Sequence, residues 1–402
     1  MSENSNGFVL KNDYIFTSIF LSILNLDLIS HNLLGIINRM MVFRNGGTFG
    51  LFKITIIIQI IWLAFWLIWK KRVLEIVPPV SILFLIYVFI SAIVGLAFGN
   101  LNSKFVTQLF EYLIPILMIG FSRTILDSIQ GDQKLKQKLE RIVLLNSYLY
   151  IVCTVLFRIM YRMGFMYWNA YTSWACLFLI PYLFFATDRT WLGFALCGAG
   201  VLSGGRSTLV RTVGILLFYY FTSKRPLKKK LKETVLMATG VIIAIVLMQR
   251  TNYFERILLT ISTLLSDNPD LNLATGGRTV EIERIVPLMN SRPISWVIGN
   301  GFGVYQTTSY GSIRGFAHFM PMTYTMISGI IFTVVLYLSL LLHSLKLFLT
   351  KTPLGRMLCC YLLVVVVIGS LFDASMTFDF KYWLIVGLSF CYTKKLHSSR
   401  RF

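Results

Sequence analysis

Residues 80–98 read Val80-Ser-Ile-Leu-Phe-Leu-Ile-Tyr-Val-Phe-Ile-Ser-Ala-Ile-Val-Gly-Leu-Ala-Phe98, without one charged side chain. A helix of that length and apolarity spans the hydrocarbon core of a bilayer. The stretch is not isolated. Apolar runs of helical length fall at 14–30, 50–69, 75–98, 106–121, 142–162, 170–187, 190–202, 208–222, 233–248, 318–345, 354–373 and 378–393. The expected fold is therefore an all-α polytopic membrane protein of about 12 transmembrane helices. The runs at 190–202 and 233–248 are short for a span.

Composition agrees. Hydrophobic residues make up 56% of the 402-residue chain and charged residues 14%, and the mean hydropathy is +0.71. A soluble domain carries about 25% charged residues. The first apolar run follows a nearly uncharged tail and lacks a small-residue cleavage site, so it reads as a retained helix rather than a signal peptide. Cys153, Cys176, Cys197, Cys359, Cys360 and Cys391 all lie in apolar runs without a C-x-x-C, which points to packing rather than a disulfide or zinc framework.

The net charge of +21 would suit a nucleic-acid partner if the basic residues shared a face. They instead occupy short clusters between apolar runs, as the positive-inside rule produces. With both termini cytoplasmic, the inward connections 70–74, 122–141, 188–189, 223–232, 346–353 and the tail hold Lys70-Lys71-Arg72, Lys134, Lys136, Lys138, Arg141, Lys228-Lys229-Lys230, Lys394-Lys395 and Arg400-Arg401. The expected division is residues 1–248 with nine spans, 249–317 as one large extracytoplasmic loop, and 318–402 with three spans and a basic tail. Helix-like stretches lie in that loop at 252–265 and 278–291, the second after a cap-like Ala274-Thr-Gly-Gly277.

Arginines expected on the outer side need a reason, because the topology signal disfavours them there. They are Arg206 in Ser203-Gly-Gly-Arg-Ser-Thr208, Arg278 in Gly276-Gly-Arg-Thr279, Arg284, Arg292 and Arg314; Arg211 lies about a turn and a half beyond Arg206. Guanidinium forks bind diphosphate oxygens bidentately and stay charged. The bland reading is snorkelling to lipid phosphate for Arg206. For Arg278 and Arg284, separated by about 600° of helical rotation with Glu281 and Glu283 between, it is a salt-bridged solvated helix. His318 opens the tenth run and is a candidate general base. His31, His343 and His397 show no constellation around them. Asp267, Asp270, Glu281 and Glu283 do not form a magnesium-like cluster, so neither metal nor cofactor is expected. Gly299-Asn-Gly-Phe-Gly303 lacks the strand and helix of a dinucleotide site and reads as a tight turn allowing close backbone approach to the site.

Ser203-Gly-Gly-Arg-Ser-Thr208 between two spans, Gly276-Gly-Arg-Thr279 in a large loop, Ile298-Gly-Asn-Gly-Phe-Gly303, Ala317-His318 and Ser328-Gly-Ile-Ile331 occur in an order that resembles Wzy-type O-antigen and capsule polymerases and the related O-antigen ligases. The resemblance covers about residues 200–335; Phe319 follows His318 where that family commonly has Asn. It implies a GT-C-like membrane glycosyltransferase in the bacterial plasma membrane, joining undecaprenyl-diphosphate-linked repeat units without metal. Donor and acceptor glycans would be the partners, along with membrane lipid, a chain-length regulator and a flippase. Arg206, Arg211 and Arg278 would bind diphosphate, Arg284 would assist, and His318 would orient or deprotonate the acceptor hydroxyl. The alternatives are an O-antigen ligase, a transporter or flippase of lipid-linked oligosaccharide, and a non-catalytic scaffold. A transporter would carry its charges at mid-span, where Asp27, Lys53, Glu111 and Arg158 are the few candidates.

Overall fold

The computed structural model describes residues 3–40, 79–166, 171, 173–223, 278–307, 313–374, 376 and 379–399, with single positions between them. The elements are α1 (Glu3–Ile37), α2 (Pro79–Ala97), α3 (Ser103–Gly131), α4 (Gln133–Arg162), α5 (Ala175–Phe185), α6 (Thr190–Leu202), α7 (Arg206–Thr222), α8 (Arg278–Asn290), α9 (Ser295–Ile298), β1 (Gln306–Thr307), β2 (Ile313–Arg314), α10 (Met320–Leu349), α11 (Pro353–Cys360) and α12 (Phe380–Ser399). A π-helical stretch, Tyr361–Ile368, continues α11. Among the described residues, β1 and β2 form a two-residue antiparallel ribbon, pairing Gln306 with Arg314 and Thr307 with Ile313. All other regular structure among the described residues is helix.

Five helices among the described residues are long and apolar enough to cross a membrane: Asp13–Ile37 within α1, α2, α3, α4 and α10. They mark the chain as a membrane protein. The runs at 170–187, 190–202 and 354–373 form shorter apolar helices, Ala175–Phe185, Thr190–Leu202 and Pro353–Ile368. The runs at 50–69 and 233–248 and the helix-like stretch at 252–265 lie largely outside the described residues.

The segment 122–141, read as a connection, is helical on both sides of a single-residue break. Asp132 is the N-cap of α4, its side chain accepting from the amides of Lys134 at 2.7 Å and Leu135 at 3.1 Å. The polar residues that follow it are good helix formers, and the Asp132 cap restarts the helix after the break.

The chain divides into two compact units. The first comprises residues 1–71, 123–255 and 350–361, the second 72–122, 256–349 and 362–402. In the first, polar contacts tie α1 to α4. Lys138 Nζ donates to Ser18 O at 2.7 Å, Ser18 Oγ at 2.9 Å and Ser22 Oγ at 2.8 Å, and Asn146 Nδ2 donates to Asn25 Oδ1 at 2.8 Å. Arg158 donates from Nε to the Leu202 carbonyl at 2.6 Å, satisfying the end of α6. Five cysteines are buried, Cys391 is half-buried, and all are free thiols. His31, which showed no constellation in the sequence, lies 3.9 Å from the Asp27 carboxylate one helical turn before it.

The second unit is built around Phe84, whose ring meets those of Tyr112 at 5.4 Å, Phe332 at 5.1 Å and Trp383 at 4.8 Å. α10 breaks inside this core, because Gly329 has φ 85° and ψ 170°. The segment Gly299–Gly303 docks on the break. The amides of Asn300 and Gly301 donate to the carbonyls of Met326 and Ile327, both at 2.9 Å, and Phe302 N donates to Ser91 O at 2.8 Å. Gly299, Gly301 and Gly303 all have positive φ. A Cβ on Gly301 would stand 2.1 Å from Gly95 N, and one on Gly303 would stand 1.8 Å from Asn100 O. The glycine-rich turn does bring backbone close, but to the membrane helices themselves.

Gly303→Ala is expected to lose roughly 2 kcal/mol or more of stability, from strain plus the clash with Asn100. Gly120→Ala, where a Cβ would meet nothing within 4 Å, should be neutral or slightly stabilising. Thermal unfolding of both variants in one detergent checks this; equal midpoints would contradict the docking.

Candidate functional site

The arginines and the histidine singled out in the sequence divide between the units. Arg206 and Arg211 lie in the first. α6 ends at Leu202, the chain turns through Gly204 with φ 84°, and Arg206 is the first residue of α7. Arg206 is half-buried and keeps partners. Arg211 is fully buried, with Nε donating to the Ser207 carbonyl at 3.2 Å and the guanidinium also bonded to Ser207 Oγ.

Arg278, Arg284, Arg292, Arg314 and His318 lie in the second unit. α8 begins at Arg278 and buries Ile285 and Met289. Arg278 and Arg284 are half-buried and engaged by neighbours. Three-residue steps on a helix fall about 60° short of a full turn, so the two guanidiniums flank Glu281 across an arc of about 120°. Arg292 is exposed, its guanidinium 4.2 Å above the Phe98 ring, a cation–π contact.

His318 precedes α10 instead of opening it. Three anchors hold its turn. Thr323 Oγ1 accepts from Ala317 N at 2.8 Å and donates to Ala317 O at 2.9 Å. Gln108 Nε2 donates to Gly315 O and Val304 O, both at 2.9 Å, while its Oε1 accepts from Gly303 N at 2.7 Å. The third anchor is Glu281. Its Oε2 accepts from His318 N at 2.8 Å, and its Oε1 lies 2.8 Å from His318 Nδ1. Arg314 Nη1 stands 3.8 Å from the same Oε1. The Glu281 side chain is 15% exposed and that of His318 34%.

The solvated-helix reading of α8 does not extend to Glu281, which is bound to His318 and Arg314. The signal for it was present: Glu281, Ile285 and Met289 are spaced four residues apart, so a carboxylate shares the apolar stripe of an amphipathic helix. Burial pushes the Glu281 carboxyl up, but the hydrogen bonds and charge of His318, with Arg314, outweigh burial and hold it below its ordinary value. Its place in the first turn of α8 adds the favourable end of the helix dipole.

The arrangement presents a half-exposed imidazole, fixed at one nitrogen, in a unit whose α8 carries two guanidiniums. It can exchange a proton and neutralise an anion. Among the described residues, no three His, Cys, Asp or Glu side chains gather as a metal-binding group. No family model matches the chain, and no curated protein or solved structure matches it either.

A lowered carboxylate contributes stability that is complete above its unfolded value and is lost as pH falls through the folded one. Protection of the His318 amide from hydrogen exchange should therefore hold through the ordinary carboxylate range and be lost only as pH falls below it. Glu281→Leu should leave that amide weakly protected throughout. Protection independent of pH in the native protein would contradict the pairing.

Proposed function

We propose that this protein is a Wzy-type polysaccharide polymerase of the bacterial plasma membrane. Its reaction joins undecaprenyl-diphosphate-linked oligosaccharide units on the outer face. The supporting observation is His318, held by a carboxylate in a unit that also carries Arg278, Arg284 and Arg314. The order of the short motifs over 200–335 supplies the sugar chemistry of the reading, and the helices supply the membrane. In this reading the chain crosses the bilayer about 12 times, with both termini cytoplasmic and 249–317 facing outward.

The reaction needs two things from the protein. An acceptor sugar hydroxyl must lose its proton as its oxygen bonds to the anomeric carbon of the donor. The bond from that carbon to the diphosphate must break, leaving undecaprenyl diphosphate with additional negative charge. His318 Nε2 takes the proton. The Arg278 and Arg284 guanidiniums stabilise the departing diphosphate by preorganised charge, without a divalent cation. The motif resemblance gives Arg206 and Arg211, in the first unit, a diphosphate-binding role of their own.

Deleting the gene should abolish the surface polymer ladder and leave single repeat units on the lipid carrier. Complementation with His318→Ala or Arg278→Ala should fail to restore it, with losses of about a hundredfold or more. Arg278→Lys should rescue poorly, because a point charge does not replace a bidentate fork; Arg206→Ala and Arg206→Lys test the first unit in the same way. A normal ladder in both alanine variants sinks the site assignment. A ladder that forms on the carrier but never reaches the cell surface indicates a ligase, and units trapped on the inner leaflet indicate a flippase.

A further inference from the structure

We infer that Glu281 is the positioning residue for His318, selecting the imidazole tautomer that can accept a proton at Nε2. The inference rests on the proposed role of His318 as the base. It adds a residue to which no motif assigned a part.

One carboxylate makes two bonds to one residue. Oε2 accepts the main-chain amide of His318 and Oε1 faces the ring at Nδ1, each at 2.8 Å. The first bond fixes the backbone from which the ring projects, and the second fixes the ring's rotation. A carboxylate held below its ordinary value is an acceptor only, so Nδ1 carries the hydrogen between them. In the neutral ring the lone pair then belongs to Nε2. Without the carboxylate, either nitrogen can carry the hydrogen, and the ring can turn.

Electrostatics act in the same direction. When Nε2 takes the acceptor proton the ring becomes a cation, and the Glu281 charge is already in place beside it. A preorganised charge of this kind stabilises the developing cation without reorganisation. Arg314, 3.8 Å from Oε1, favours the ionised carboxylate. Gln108 and Thr323 hold the chain on the N-terminal side of the ring. Glu281 thus acts through His318, and its replacement should slow the chemical step rather than weaken substrate binding.

A simple staple between α8 and the His318 turn would show the same two bonds, so the test must separate the two roles. Purified full-length protein in nanodiscs is assayed with lipid-linked repeat units from the deletion strain. Glu281→Gln keeps the size and one acceptor oxygen but removes the charge. It should lower kcat about tenfold or more while KM and the thermal midpoint stay within about twofold and a few degrees of native. In a His318→Ala background, Glu281→Gln should add no further loss. Unchanged kcat in Glu281→Gln, or a full additional loss on top of His318→Ala, overturns the positioning role.

A failure of the polymerase reading looks different: native protein makes no polymer, or His318→Ala matches native. Nitrogen NMR of labelled histidine then decides the inference alone, the His318 signal being identified by its absence in His318→Ala. At a pH where the ring is neutral, native protein should show the hydrogen on Nδ1, and Glu281→Leu should show a mixture. The same tautomer ratio in both proteins overturns the inference whatever the reaction.

Discussion

A main-chain carbonyl released from its helix in a packed interior must find another donor, because no water reaches it there. α10 releases such carbonyls where Gly329 departs from helical geometry. The amides of Asn300 and Gly301 take them up at Met326 and Ile327. The approach is mutual: a Cβ on Gly299 would lie 2.1 Å from Ile327 O, and one on Gly329 would lie 2.0 Å from Val297 O. Neither the broken helix nor the glycine-rich turn is satisfied alone. Together they make a hydrogen-bonded seam in which side chains have no room.

The candidate site hangs from this seam. Gly303 is bonded to Gln108, and Gln108 also holds Gly315, three residues before His318. On the other side, Asn300 bonds to Ser295 Oγ at 2.9 Å and to Met289 Sδ at 3.1 Å, which carries the constraint to the inner face of α8. Glu281 lies two turns earlier on that face. The same turn that closes the break in α10 therefore approaches the imidazole from two directions.

Much of this was readable in the chain. Apolar runs such as 75–98 and 190–202 became helices close to their expected limits, because length and apolarity are local properties. The helix at 278–290 followed from its pattern. The charge of 122–141 says nothing of whether its backbone is coiled or helical, and it is helical on both sides of Asp132. Glu281 with His318 was not readable: 37 residues separate them, and neither helical nor strand periodicity links such positions. The glycines of 299–303 announced a close approach but not its object, since the partner carbonyls lie on α2, α3 and α10. The buried pair Asp379 and Lys381, 2.9 Å apart at the start of α12, was likewise hidden within an apolar run.

The seam also bears on the order in which the chain can mature. Asn100 donates to the Asn300 carbonyl across 200 positions, and α10, which receives the turn, is synthesised later still. Helices α2 and α3 must therefore wait in the membrane with Ser91 O and Gln108 not yet engaged by their eventual partners. Docking of 299–303 becomes a late, non-local event in biogenesis, of the kind that folds slowly and exposes a translation intermediate to quality control. A ribosome stalled before residue 329 would leave a chain whose early helices are inserted but whose imidazole turn has nothing to close upon.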